Sequence, residues 1–272
     1  MAPPSVGLEP LRLLLVLVAA MVGGVLNAIA GGGTLVTFPA LVGLGIPAIV
    51  ANATSTVALW PGTLASLWGY RDLLVGMRSW VTRFAIPSLL GGLVGALLLI
   101  KTPPARFDAI VPWLVLGATV LFVVQKPLTS RFPRLTGSHP IVTDVDDHTA
   151  DRAVEPTVKL LLYQFFVAVY GGYFGAGIGI LVLAALGFMG FRNIHRMNGL
   201  KNWGGVCANA VAATMFAFSG IVSWPVAGAM ALGATIGGYG GSRLARRVTQ
   251  ARVRQAIIVI GLASSLWLAT RV

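Results

Sequence analysis

Charge is scarce in this chain. Only 10% of its 272 residues are charged, against roughly 25% in a soluble globular domain. Acidic side chains are scarcer still: 8 Asp and Glu stand against 20 Lys and Arg, for a net charge of +12. A single cysteine, Cys207, makes neither a disulfide framework nor a thiolate metal site. The three histidines, His139, His148 and His195, fall in loops, and no carboxylate lies well inside an apolar run. With 56% hydrophobic residues and a mean hydropathy of +0.84, a globule of this composition would lack the polar groups to cover its surface. A soluble enzyme, a secreted disulfide scaffold and a disordered chain are excluded.

HExxH and CxxC motifs and carboxylate pairs are also missing, so catalysis, a cofactor and a resident metal are not expected. His139, Asp144 and His148 have no recognised metal-ligand spacing. The glycines at 31–33 and at 175, 177 and 179 mimic a dinucleotide fingerprint without its strand–turn–helix setting.

Long apolar runs are abundant, at about 11–29, 34–47, 51–69, 80–100, 109–125, 158–174, 177–190, 200–219, 224–242 and 254–270. A helix needs about 20 residues to cross the bilayer, whereas a membrane barrel strand alternates over about ten. The runs are continuous, so the fold class is an all-α integral membrane protein. The excess of Lys and Arg then belongs to cytoplasmic loops and not to a nucleic-acid surface. Segments 34–47 and 177–190 are short and joined through glycines to their predecessors, as broken or re-entrant helices are. The polar stretch 126–157 holds five of the acidic residues and reads as a solvated linker.

The second half repeats the first. Asn198 lies 146 residues after Asn52, and the same offset relates Gly237 to Gly91, Gly241 to Gly95, Gly177 to Gly31 and Gly179 to Gly33. The expected layout is a first membrane repeat over 1–125, the linker over 126–157 and a second membrane repeat over 158–272. With five segments per repeat the halves should have inverted topology. Basic loops agree: 70–79 and 191–201 carry cations where their counterparts carry none. Both termini are then outside. Ala28-Ile29-Ala30 imitates a signal-peptide cleavage site, but the segment recurs internally, so its retention is expected.

An interior poor in carboxylates suits an anion better than a cation, which normally needs an intramembrane Asp or Glu. Oxyanions are favoured by exposed N–H groups at helix N-termini and by close backbone approach at glycine. The expected substrate site combines Gly32, Gly33 and Thr34 with Asn52, Thr54, Ser55 and Thr56 in the first half. From the second half come Gly177, Gly179, Asn198, Lys201 and Asn202. Asn52 and Asn198 are read as opening their segments, where Asn, Ser and Thr suit N-caps. Asn52, Thr56 and Thr63 share a helical face, as do Asn198, Asn202 and Asn209; such a face either meets a ligand or bonds neighbouring helices. Lys201 either offsets an anion's charge or snorkels to the cytoplasmic surface. The rows containing Gly91, Gly95, Gly233, Gly237 and Gly241 are read as helix-packing surfaces.

The run Ala30-Gly31-Gly32-Gly33-Thr34, with Pro39, Gly45 and Ala51-Asn52-Ala53-Thr54-Ser55-Thr56, resembles the first signature of the TauE/SafE sulfite exporter family. Gly172, Asn198-Gly199-Leu200-Lys201-Asn202, Ser219-Gly220-Ile221-Val222-Ser223-Trp224 and Gly237-Gly238 resemble the second. The resemblance implies a multi-pass permease of the bacterial plasma membrane for sulfite, sulfonates or related anions. It transfers the first-half Thr-Ser pair to Thr54 and Ser55. Leu200-Lys201 departs from the Thr-Ser-like pair of the second half. The expected function is a secondary transporter for a small sulfur-containing anion, working by alternating access. Its partners are the anion and the lipid bilayer. The alternatives are an anion channel on the same repeat and a non-transporting membrane assembly protein.

Overall fold

A bilayer offers the backbone no hydrogen-bond partners, so an apolar chain must satisfy its own N–H and C=O groups in helices. The computed structural model describes residues 9–131, 156–188, 191, 193–245 and 250–270, and these form helices and short connections without a β-strand. In chain order they are α1 (Pro10–Ala30), α2 (Thr34–Gly43), α3 (Ala48–Tyr70), a 3-10 turn (Arg71–Leu74), α4 (Arg78–Lys101) and α5 (Pro104–Arg131). The second half supplies α6 (Val158–Tyr173), α7 (Ile178–Phe188), α8 (Ile194–Ser219), α9 (Trp224–Leu244) and α10 (Gln250–Ala269). The metal-ligand candidates His139, Asp144 and His148, and residues 132–155 of the linker, lie outside the described residues.

The burial pattern is that of a membrane protein. Leu14, Ile86, Trp113, Phe166 and Leu266 are exposed, while Asn52, Thr54, Asn198, Lys201 and Asn202 are buried. Water would reverse that arrangement; lipid favours it, because polar groups there must face protein. Three helices, α1, α4 and α5 through Val124, are long and apolar enough by composition alone to cross a membrane. Helices α3 and α8 are longer than 20 residues, yet carry amides and hydroxyls on their buried faces, which lowers their hydropathy.

Both short segments are separate helices. Gly31 ends α1 with φ +80°, and its N–H donates to Leu26 O and Asn27 O. Gly175 follows α6 with φ +81° and donates to Tyr170 O. A left-handed backbone of this kind admits glycine at little cost. Helix α2 then opens with Val36 N donating to Gly33 O, and α7 with Ile180 N donating to Gly177 O. These pairings correct the repeat's alignment: Gly31 corresponds to Gly175 and Gly33 to Gly177, an offset of 144. The offset becomes 146 at Ala48 and Ile194, the first residues of α3 and α8, because α7 and the α7–α8 connection are each one residue longer than α2 and the α2–α3 connection. Pro39, Pro61 and Pro87 lie within α2, α3 and α4, which continue through them.

The two halves interdigitate. Helix α1 packs on α9 and, at the corresponding place, α6 packs on α4; α3 packs on α9 as α8 packs on α4. Glycine makes these contacts close. A Cβ on Gly238 would meet Gly62 O, and one on Gly92 would meet Ala208 O, two contacts related by the offset of 146. Gly91 faces Phe165 and Ala168, while Gly237 faces Met21. The glycine rows are thus helix-packing surfaces, as their spacing predicts. Two bundles result, α1/α3/α9 and α4/α6/α8, and they meet along α3 and α8.

Candidate functional site

Where α3 and α8 meet, their polar faces enclose a small cavity of about 30 Å³. A single water needs roughly 10–15 Å³ on this scale, so it has room for a few waters. Its polar lining comes from Asn27 of α1, Thr34 of α2, Thr56 and Thr63 of α3, Gln164 of α6 and Lys201, Asn202 and Asn209 of α8. Gly31, Gly175 and Gly179 bring the interrupted backbones to its wall.

Lys201 is the one charged group in that lining and is only 4% exposed. Its Nζ donates to Asn27 O and Ala28 O, both at 3.0 Å. These carbonyls belong to the last turn of α1, where partial negative charge accumulates. The Lys201 ammonium is therefore anchored inside the protein and does not snorkel to a surface. Glycine makes this reach feasible: a Cβ on Gly179 would come within 2.6 Å of Gly31 Cα and 3.0 Å of Lys201 Cδ. An ammonium has three donors, and two of them are bound to α1.

The amides are held by hydroxyls of neighbouring helices. Asn27 Nδ2 donates to Thr63 Oγ1 at 3.2 Å, Asn202 Nδ2 to Ser66 Oγ at 2.9 Å, and Gln164 Nε2 to Ser88 Oγ at 2.9 Å. Each bond ties one helix to another, and the second, from α8 to α3, lies on the seam between the bundles.

Of the residues expected from sequence, Thr34, Thr56, Gly179, Lys201 and Asn202 come together at this cavity. The others lie elsewhere. Gly32 packs on Ile257 and Phe122, Gly33 on Gly23 O and Asn27 Cβ, and Gly177 on Ala118. Asn52 Nδ2 donates to Tyr173 O at 2.9 Å. Thr54 Oγ1 accepts from Ser223 N at 3.0 Å, and Ser55 shares a hydrogen bond with Thr37. These three bind neighbouring segments to α3. Asn198 is fully buried, and neither of its side-chain polar atoms has a partner.

The N-cap reading also needs correction. Helix α3 begins at Ala48 after Pro47, and α8 begins at Ile194 after Asn193. Asn193 Oδ1 accepts from His195 N and Arg196 N, so it caps α8. Residues 52–56 and 198–202 therefore sit within continuous helices, where the backbone N–H groups are already bonded. They present side chains, not free backbone donors. The backbone breaks lie instead at Gly31–Gly33 and Phe174–Gly177.

Sequence reasoning missed Asn27 and Gln164. Each is a lone amide inside an otherwise apolar run, which is itself a signal that the side chain faces protein or a cavity.

An apolar exterior, two interrupted helices and a buried cationic cavity at a bundle seam define a polytopic α-helical membrane protein. Residues 15–268 match the family described as sulfite exporter TauE/SafE, and the chain belongs to that family; it is a membrane transporter. Similar curated proteins include probable membrane transporter protein ORF9 of a Sinorhizobium species, 29% identical over 92% of this chain and 89% of the relative. A probable membrane transporter protein of Haemophilus influenzae is 26% identical over 88% of this chain and 87% of its own. The probable membrane transporter protein YfcA of Escherichia coli is 25% identical over 93% and 87%. No solved structure matches the chain significantly.

Proposed function

We propose that the chain is a secondary transporter for a small sulfur-containing anion such as sulfite or an organosulfonate. One observation carries this reading: the cavity has a buried ammonium, Lys201, in its wall and no carboxylate in its lining. A buried cation is costly without a negative partner. The two α1 carbonyls offset part of that cost through partial charges; an anion in the cavity would complete it. The family's description as sulfite exporters supports a sulfur oxyanion. Lys201, Asn202, Thr34, Thr56 and Gly179 are the proposed substrate contacts, joined by Asn27 and Gln164.

The mechanism we propose is alternating access. A cavity of about 30 Å³ has to widen before it admits sulfite, and its walls belong to both bundles. Tight glycine-to-carbonyl contacts hold each bundle together. The seam is held by side-chain bonds, Asn202 to Ser66 and Lys201 to the α1 carbonyls. The rocking bodies are then α1/α3/α9 and α4/α6/α8, each drawing helices from both sequence halves. Inverted orientation of the repeats over 1–125 and 158–272 is supported by the exchanged basic loops and by the matched packing of α1 on α9 and α6 on α4. The linker 126–157 would be cytoplasmic. A bacterial inner-membrane location is supported by the Sinorhizobium, Haemophilus and Escherichia relatives.

The test is uptake of labelled sulfite and organosulfonates by proteoliposomes containing the full chain. Saturable uptake of at least one is expected. Indifference to all of them would overturn the substrate assignment, and conductance in single-channel recordings would favour a channel.

A further inference from the structure

The cavity offers a ligand acceptors as well as donors. Thr63 Oγ1 donates its only proton to Leu59 O at 3.0 Å, so Asn27 must turn its NH2 group toward Thr63. Ser88 Oγ donates its only proton to Phe84 O at 2.7 Å, so Gln164 must turn its NH2 group toward Ser88. The hydrogen-bond network thereby decides which amide atom is oxygen. Asn202 also uses its NH2 group on a hydroxyl, Ser66. Thr56 Oγ1 donates to Asn52 O. Each amide has one further N–H and its carbonyl oxygen to offer. In Gln164, which is 3% exposed, the remaining atom Oε1 is buried and has no partner.

A fully deprotonated oxyanion would satisfy Lys201 but would leave Gln164 Oε1 without a donor. An anion with one O–H satisfies both, through charge-assisted bonds from the ammonium and a donated bond to the amide. We propose that the cavity takes its substrate as a monoprotonated oxyanion, hydrogen sulfite in chemical class, with Gln164 Oε1 accepting the ligand's O–H. This rests on the anion-transport reading and deepens it. A proton then crosses with each substrate, and the protein needs no carboxylate to carry it.

Among the described residues, Lys201 is the only titratable side chain lining the cavity. On the helices packed around Gln164, none of Arg83 of α4, Tyr163 and Tyr170 of α6, or His195, Arg196 and Cys207 of α8 lines it.

The experiment measures binding of sulfite and of methanesulfonate to the purified full chain, across the pH range in which hydrogen sulfite gives way to sulfite. Methanesulfonate has one negative charge and no O–H, so it reports any change in Lys201 by itself. The proposal expects affinity for total sulfite to follow the hydrogen sulfite fraction. Methanesulfonate should bind about tenfold or more weakly, since a site built to pair with an O–H rejects an analogue lacking it. Gln164→Leu should close the gap between the two ligands by weakening sulfite alone. Equal binding of both ligands by the wild-type chain, or affinity that follows the dianion, overturns the proposal without any variant. A preference for an ammonium-bearing sulfonate over hydrogen sulfite overturns the O–H assignment. Binding of neither anion overturns the transport reading itself, and this inference with it.

Discussion

The side-chain ammonium of Lys201 in α8 lies 3.0 Å from the carbonyl oxygen of Ala28 in the last turn of α1. The contact joins helices from the two halves of the sequence and holds a cation at the seam of the two bundles. Replacing Lys201 by Met keeps the apolar stem and removes the charge. Uptake of the anion in proteoliposomes should fall at least tenfold, and Lys201→Arg should retain more activity than Lys201→Met. The α1 carbonyls lose a charged donor in Lys201→Met, which should lower stability by about 1–3 kcal/mol, read from thermal unfolding in detergent.

Gly31 and Gly45 separate steric from conformational demands. Both have positive φ, +80° and +86°. A Cβ on Gly31 would lie 2.5 Å from Gly179 Cα, while one on Gly45 meets nothing within 4 Å. Gly45→Ala should cost only the left-handed strain, about 1–2 kcal/mol. Gly31→Ala adds overpacking of about 1–3 kcal/mol and should also abolish uptake, because it pushes α7 away from Lys201. Thermal unfolding of the two variants side by side checks the difference.

Thr54 and Ser55 were expected to touch substrate, yet both bond protein. Thr54→Val removes the acceptor for Ser223 N just before α9. A loss of about 1 kcal/mol in stability is expected, with unchanged affinity for the transported anion. A marked rise in the substrate concentration for half-maximal uptake would return Thr54 to the binding site.

The seam between bundles can be locked. A Cβ at Gly205 of α8 would lie 3.7 Å from Thr63 Cγ2 of α3, so side chains at the two positions meet across the seam. Thr63→Cys with Gly205→Cys, made in a Cys207→Ala background, should stop uptake when oxidised and recover it on reduction. Undiminished uptake by the oxidised protein would mean that α3 and α8 do not part.

Much of the fold was legible in the chain. The apolar runs at 11–29 and 80–100 became α1 and α4 because hydrocarbon selects for continuous apolarity. The glycine-joined segments became α2 and α7 because glycine alone tolerates the backbone at 31 and 175. The opening of α8 was harder to read: it begins at Ile194, not near 200, because its first turns bury polar residues such as His195, Arg196 and Asn198 that lower its hydropathy.

The candidate site divides in the same way. Lys201, Asn202 and Thr56 stood out because a polar group inside a membrane segment must face protein or a cavity. Whether it meets a ligand or a neighbouring helix depends on what stands opposite. Asn52 met Tyr173 O, and Thr54 met Ser223 N; those partners are distant in sequence.

Composition and periodicity alone determined that this is a helical membrane protein with a carboxylate-poor interior, since transfer from water to lipid acts on each residue locally. Only the tertiary structure decided that Lys201 points to the end of α1, that Gln164 joins it, and that the bundles mix the two halves. Those outcomes depend on which distant backbones approach closely enough to share a hydrogen bond, and no local rule specifies that.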